Sequence, residues 1–197
     1  PGGTGLGKPL KSTVHPLRTD IPIMLGAEGP KNVALAAEIG DGWLPMFFSP
    51  KMDGFYRDAL AEGFARPGAR RDAGSFEVPA FVPVVPLDDV EAAADVIRPS
   101  VALYVGGMGA RTMNFHADHF ARLGYEAEVA RIQELYLSGR KAEAIAAVPT
   151  ALVEDIALIG SPAKIRDELP RWEATVITSL ILQAPPPLLP AVADVLV

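Results

Sequence analysis

The residues best placed to do chemistry are Leu25-Gly26-Ala27-Glu28-Gly29-Pro30-Lys31. An apolar run, Ile21 to Leu25, leads into the glycines, and Pro30 stands where a first helical residue belongs. A strand, a glycine turn and a helix start in succession aim free backbone N–H groups and a helix dipole at one spot, which suits a phosphate. Glycine lets the backbone approach such a ligand closely. The segment is not a P-loop, since no Gly-Lys-Ser/Thr follows, nor the three-glycine dinucleotide fingerprint. A plain strand-to-helix turn fits the same residues, and Glu28 would repel an anion unless it points away. Lys8 and Lys11 could reach a phosphate held there from the preceding segment, although solvated lysines are the ordinary reading.

The other reactive residue types are scattered. His116 and His119 are three apart and share a helix face, but a zinc pair wants a third ligand and no other histidine is near. Surface or capping histidines are therefore the expected reading, and no metal site is assigned. No Gly-x-Ser-x-Gly exists to make a nucleophile elbow. Carboxylate pairs such as Asp88/Asp89 and Glu154/Asp155 read as helix starts or solvent-facing groups. With no cysteine, thiolate metal sites, disulfides and cysteine nucleophiles are excluded. That fits a reducing compartment, and a cytoplasmic location is expected.

The elements that must position these residues alternate. After the run at Ile21–Leu25 comes a helix from Pro30 that Gly40 stops, then a second apolar run, Trp43 to Phe48, and an amphipathic helix through Met52, Tyr56, Leu60 and Phe64. Phe76 to Leu87 is a third strand, which Pro79, Pro83 and Pro86 should demote to an edge or a bulge. Asp88 or Asp89 caps a helix whose apolar phase survives Pro99 and ends at Gly106-Gly107. Further helices follow to Pro149. Ser161-Pro162 then starts another, with Ile165, Leu169 and Trp172 as its buried stripe. Val176 to Leu182 is the fourth strand, and a short helix closes the chain.

Four strands alternating with helices imply an α/β fold with a parallel sheet. Two architectures fit: a small doubly wound sheet, or half of a (β/α)8 barrel, whose usual size is about 250 residues. A mean hydropathy of +0.22 in a chain of 197 residues favours the half barrel, which would leave apolar edges needing a partner. No apolar run reaches the roughly 18 residues of a membrane span, so no membrane partner is expected. The net charge is -6, and beyond residue 31 the chain is strongly acidic, which argues against a nucleic-acid surface.

From Ile21 through Gly26-Ala27-Glu28-Gly29-Pro30-Lys31 to Asp41-Gly42-Trp43, the chain resembles the bacterial luciferase-like family. More narrowly it resembles the actinobacterial branch that uses the deazaflavin coenzyme F420. Gly5-Leu6-Gly7-Lys8-Pro9-Leu10-Lys11, Ala102 to Ala110, Asn114-Phe115-His116 and Ala157 to Pro162 support the match. The resemblance implies that residues 1–197 are the C-terminal half of a TIM-like barrel, strands five to eight, with a helical insertion after the seventh strand at about 88–160. It implies an F420-dependent oxidoreductase that moves a hydride between reduced deazaflavin and an organic substrate. An FMN-dependent monooxygenase is the alternative, and a catalytically incomplete half barrel that only self-associates is a second. Gly26, Ala27 and Gly29 would hold the coenzyme phosphate by backbone N–H groups, with Trp43 at the same mouth. Lys8 and Lys11 would meet the phosphate or an anionic tail, and Arg111, Asn114 and His116 would flank substrate. The family's acid/base side chains belong to strands absent from this sequence, so the catalytic residues are unknown. A partner follows: the N-terminal half barrel, or a second copy in a homo-oligomer.

Overall fold

The computed structural model describes residues 7, 13–15, 17–110 and 113–196. The chain begins with β1 (Met24–Gly26), α1 (Pro30–Ile39), β2 (Gly42–Leu44), α2 (Asp53–Phe64), β3 (Pro79–Pro86) and α3 (Val90–Gly107). Four short helices follow: α4 (Phe115–Phe120), α5 (Glu126–Leu137), α6 (Lys141–Ala146) and α7 (Thr150–Ile156). The remainder is β4 (Leu158–Gly160), α8 (Pro162–Glu173), β5 (Ser179–Gln183) and α9 (Leu189–Leu196).

All ladders are parallel: β1 pairs with β2, and β3 pairs with both β4 and β5. The Trp43 N–H donates to the Glu77 carbonyl at 2.9 Å, and Glu77 N–H to the Asp41 carbonyl at 3.2 Å, which links β2 to the entry of β3. The strands therefore run β1, β2, β3, β5, with β4 beside the C-terminal end of β3. Among the described residues they form an open sheet and no closed barrel.

Two strand expectations are corrected. The sheet has a fifth strand, β4, inside the span expected to be helical. And β3, for all its prolines, is flanked on both sides. Val78 N–H donates toward β5, to Thr178 Oγ1 at 2.8 Å, so the N–H groups of alternate residues 80, 82 and 84 face β5 as well. Pro79 and Pro83 thus lack their donors on the other side, where the β4 ladder begins only at Val84. Pro86 faces β5 beyond the last paired residue, Pro83. Each proline sits where no ladder bond is forfeited.

Local signals act as their chemistry dictates. Pro30 and Pro162 open α1 and α8, the Ser161 side chain accepts from Lys164 N–H, and Asp89 accepts from Glu91 and Ala92 N–H at the start of α3. Pro99 lies inside α3, which continues through it. Alternate residues of β3 face opposite ways: Ala80, Val82 and Val84 are fully buried in a core shared with α1, α2, α8 and α9, while Phe81 and Pro83 turn to the other face. A second core joins α3, α5, α6 and α7. Gly63 permits α1 and α2 to cross closely, since a Cβ there would lie 2.1 Å from the Ala34 carbonyl oxygen. No helix among the described residues is long and apolar enough to cross a membrane.

Candidate functional site

A cavity of about 790 Å³ opens at the C-terminal ends of the parallel strands. Gly26 ends β1, Leu44 ends β2, and Phe81, Pro83 and Val85 come from the face of β3 opposite Ala80, Val82 and Val84. Gln183 closes the ring from β5, and Val96, Ile97, Ser100 and Tyr104 of α3 form the far wall. Strand carboxyl ends are where α/β sheets gather ligands, because the loops that follow them converge there. The wall is mostly apolar with few polar groups, the usual makeup of a small-molecule site.

The glycine loop forms one rim. Gly26, Ala27 and Glu28 line the cavity, and Gly29 is the N-cap of α1 with ordinary extended dihedrals. Packing does not require glycine at either rim position: a Cβ on Gly29 would meet nothing within 4 Å, and one on Gly26 only the Leu44 carbonyl at 3.9 Å. Gly42 and Gly106 are different, since a Cβ there would lie 2.6 Å from the Glu77 carbonyl and 2.3 Å from Tyr136. The free space at the rim belongs to whatever the loop faces. Trp43, fully buried, donates its indole N–H to the Ala27 carbonyl at 2.7 Å and so fixes the loop from behind, without itself lining the cavity.

Glu28 does not point away into solvent. Its carboxylate is buried, with Oε1 2.7 Å from His116 Nδ1 on α4. The approach is off the axis of a hydrogen bond, and Glu28 Oε2 and His116 Nδ1 have no hydrogen-bond partner among the described residues. Burial pushes the Glu28 carboxyl up to about 7, against a smaller opposing pull from the Arg122 guanidinium. Burial likewise lowers the His116 pKa. Both members of the pair are thus biased toward their neutral forms. The loop expected to hold a phosphate and the histidine expected beside substrate meet at one point.

Asn114 explains how His116 gets there. Its Oδ1 accepts from His116 and Ala117 N–H to cap α4, and its Nδ2 donates to the Tyr104 and Val105 carbonyls at the end of α3. All four bonds go to backbone, and Asn114 does not line the cavity. Lys8, Lys11 and Arg111 lie outside the described residues.

The expectation of surface histidines is corrected: His116 is nearly and His119 fully buried. His119 Nε2 sits 2.8 Å from the Phe47 carbonyl, and Nδ1 is 3.1 Å from the Tyr56 hydroxyl. A carbonyl only accepts, so Nε2 carries the proton and Nδ1 accepts from Tyr56. Burial holds this ring neutral, with its pKa lowered to about 4. The residue it grips has φ +55, left-handed backbone that a bulky side chain rarely adopts. Phe47 lines the cavity and packs edge-on against Tyr104 at 5.0 Å. No sequence signal marked Phe47; the apolar run Trp43–Phe48 reads as strand, whereas pairing stops at Leu44. Asp155 is also buried and not solvent-facing: its Oδ2 accepts from Lys51 Nζ at 2.6 Å and Tyr125 hydroxyl at 2.7 Å, tying the turn before α2 to α7. No group of three or more metal-ligating side chains is present among the described residues.

Comparison with known proteins matches this architecture. The model of the luciferase-like monooxygenase family matches residues 6–179. A Mycobacterium tuberculosis protein whose name describes a coenzyme F420-dependent oxidoreductase is 55% identical over 183 residues, covering 93% of this chain and 53% of its own length. The 5,10-methylenetetrahydromethanopterin reductase of Archaeoglobus fulgidus is 25% identical over 165 residues, covering 84% of this chain and 48% of its own. The chain spans about half the length of these curated relatives. In fold it is similar to the coenzyme F420-dependent tetrahydromethanopterin reductase of Methanopyrus kandleri, with a TM-score of 0.64 and 22% identity over 84% of this chain and 45% of that one. An F420-dependent secondary alcohol dehydrogenase solved with an F420–acetone adduct gives 0.60 and 15% identity, over 84% and 44%. With a family model matched over most of its length, the chain belongs to the luciferase-like monooxygenase family.

Proposed function

We propose that the chain is the coenzyme-phosphate-binding half of an F420-dependent oxidoreductase, the C-terminal half of a (β/α)8 barrel. The observation that carries the reading is the glycine loop at the mouth of the apolar cavity, with room at Gly26 and Gly29 that packing does not explain. Backbone N–H groups of Gly26, Ala27 and Gly29 hold the phosphate, strengthened by the dipole of α1. Trp43 keeps the loop in register through Ala27. Phe81, Pro83, Tyr104 and Phe47 exclude water and present an apolar wall to an organic substrate, while Ser100 and Gln183 offer polar contacts. Asn114 positions His116 at the same mouth. When bound, the deazaflavin supplies a carbon centre that accepts or donates a hydride.

The half-barrel reading is supported by the exposed apolar residues on the open edges, including Ile21 and Ile23 before β1 and Leu182 on β5. A complementary half or a second copy would cover them, and the chain alone would hold only one side of the reaction. Coenzyme F420 and FMN both present a phosphate to such a loop, so the test offers each to the purified chain. Retention of F420 and not FMN, with no turnover by the chain alone, is expected. Retention of FMN with none of F420 would overturn the F420 assignment. Sedimentation at rising concentration checks the open edges: self-association is expected, and a monomer throughout would refute the half barrel.

A further inference from the structure

The buried pair of Glu28 and His116 is unusual for a loop that faces an anion. Glu28 lies between the two rim glycines and lines the cavity, with one carboxyl oxygen against His116 Nδ1 at 2.7 Å and the other, Oε2, buried without a partner among the described residues. An ionised carboxylate in that place would repel the ligand that the N–H groups and the dipole of α1 attract. A protonated one would instead donate. We propose that Glu28 and His116 form a proton-linked anion receptor, in which a protonated Glu28 carboxyl donates its O–H to the bound anion while the neutral His116 ring packs against the other carboxyl oxygen and keeps water from it. This deepens the phosphate-loop reading and rests on it.

The surroundings agree. His116 comes from α4 and is desolvated, so the neutral ring is favoured. Tyr104 of α3 packs its ring edge-on to His116 at 4.7 Å and contributes no charge. Tyr56 of α2 also feels Glu28, but its hydroxyl is committed to His119 Nδ1. Arg122, in the turn after α4, is the one cation whose field is felt at Glu28 among the described residues, and it is outweighed by burial. On α1 itself, Lys31 is exposed. A structural ion pair would have both partners charged and hydrogen-bonded; here, among the described residues, His116 Nδ1 and Glu28 Oε2 are left without such bonds. In proton balance, the free site is part-ionised near neutrality and the occupied site carries the Glu28 proton. Binding therefore takes up a proton from solvent, in greater measure as the pH rises above about 7.

The test uses sulfate, whose own charge is constant over the range, titrated into the chain between about pH 5.5 and 8.5 while the amide shifts of Gly26, Ala27 and Gly29 are followed. The wild-type affinity should be flat at the acid end and fall about tenfold per pH unit above about 7. Glu28→Gln, a permanent neutral donor, should bind with one affinity throughout, near the wild-type value at low pH. Wild-type binding that ignores pH, or a Gln variant that falls as steeply, would overturn the proton linkage and leave the loop reading standing. If those amides shift at no pH, both readings fall together. Should the variant fail to fold, calorimetry of the wild type in two buffers of different ionisation enthalpy decides: about 0.9 proton taken up per sulfate is expected at pH 8, and none refutes the proposal.

Discussion

Acidification from pH 7 to pH 5 should act on the stability of this fold through two buried groups with opposite signs. His119 is held neutral, its pKa lowered from 6.5 to about 4. Its contribution is fully present above the unfolded value and is lost as the pH falls toward 4, because the unfolded chain binds the proton more readily. Over this interval the loss is about 2 kcal/mol. Glu28 runs the other way. Its folded pKa is raised from 4.5 to about 7, so folding is penalised while the unfolded carboxyl ionises freely, and the penalty is relieved on acidification by about 2 kcal/mol. The two nearly cancel in the wild type, with His116 adding in the sense of His119. Substitution separates them. Glu28→Gln should lose about 2 kcal/mol of stability between pH 7 and 5 relative to the wild type's change, and His119→Gln, which can still donate to Phe47, should gain about as much. Urea unfolding is read by tryptophan fluorescence, since Trp43 and Trp172 are both fully buried and report on the core. Parallel pH dependence in the wild type and both variants would refute the reasoning, because neither group would then be titrating differently in the two states.

Three further outcomes are expected. A Cβ at Gly26 meets only the Leu44 carbonyl at the edge of contact, so the stability of Gly26→Ala should stay within about 1 kcal/mol of wild type while coenzyme retention drops at least about tenfold; equal retention would remove the loop from the binding site. Gly63→Ala drives a methyl against the Ala34 carbonyl and should cost roughly 2–4 kcal/mol by denaturant titration, as α1 and α2 are pushed apart. Tyr56→Phe leaves His119 Nδ1 buried without a donor and should cost about 1–3 kcal/mol; a neutral effect would show that the Tyr56–His119 hydrogen bond contributes nothing to the fold.

Much of the fold was legible because its signals are local. A proline at the first helical position, a serine or aspartate whose side chain reaches an N–H three residues on, and apolar residues at helical spacing act within a few residues of themselves. That is why α1, α3 with its internal Pro99, and α8 follow from the residues alone. The strands were harder. β4 is only three residues long, Leu158–Gly160, and a run that short carries no period. β3 looked like an edge because the penalty for proline depends on which side its missing N–H faces, and that is set by where β4 and β5 begin and end. The glycine loop was visible as a candidate, and the helix face shared by His116 and His119 was visible too. Their burial was not.

The sequence by itself determined the alternation of elements, the parallel sheet, and the position of the glycine loop between β1 and α1. Only the tertiary structure decided the charge state of that loop. Glu28 and His116 are far apart along the chain and come from the β1–α1 loop and α4, and they meet because Asn114 anchors α4 to the end of α3. Likewise His119 holds Phe47 in a left-handed backbone only because α2 and α4 enclose both. Protonation follows from solvent exclusion, and solvent exclusion is a property of several packed elements together, never of the residue that titrates.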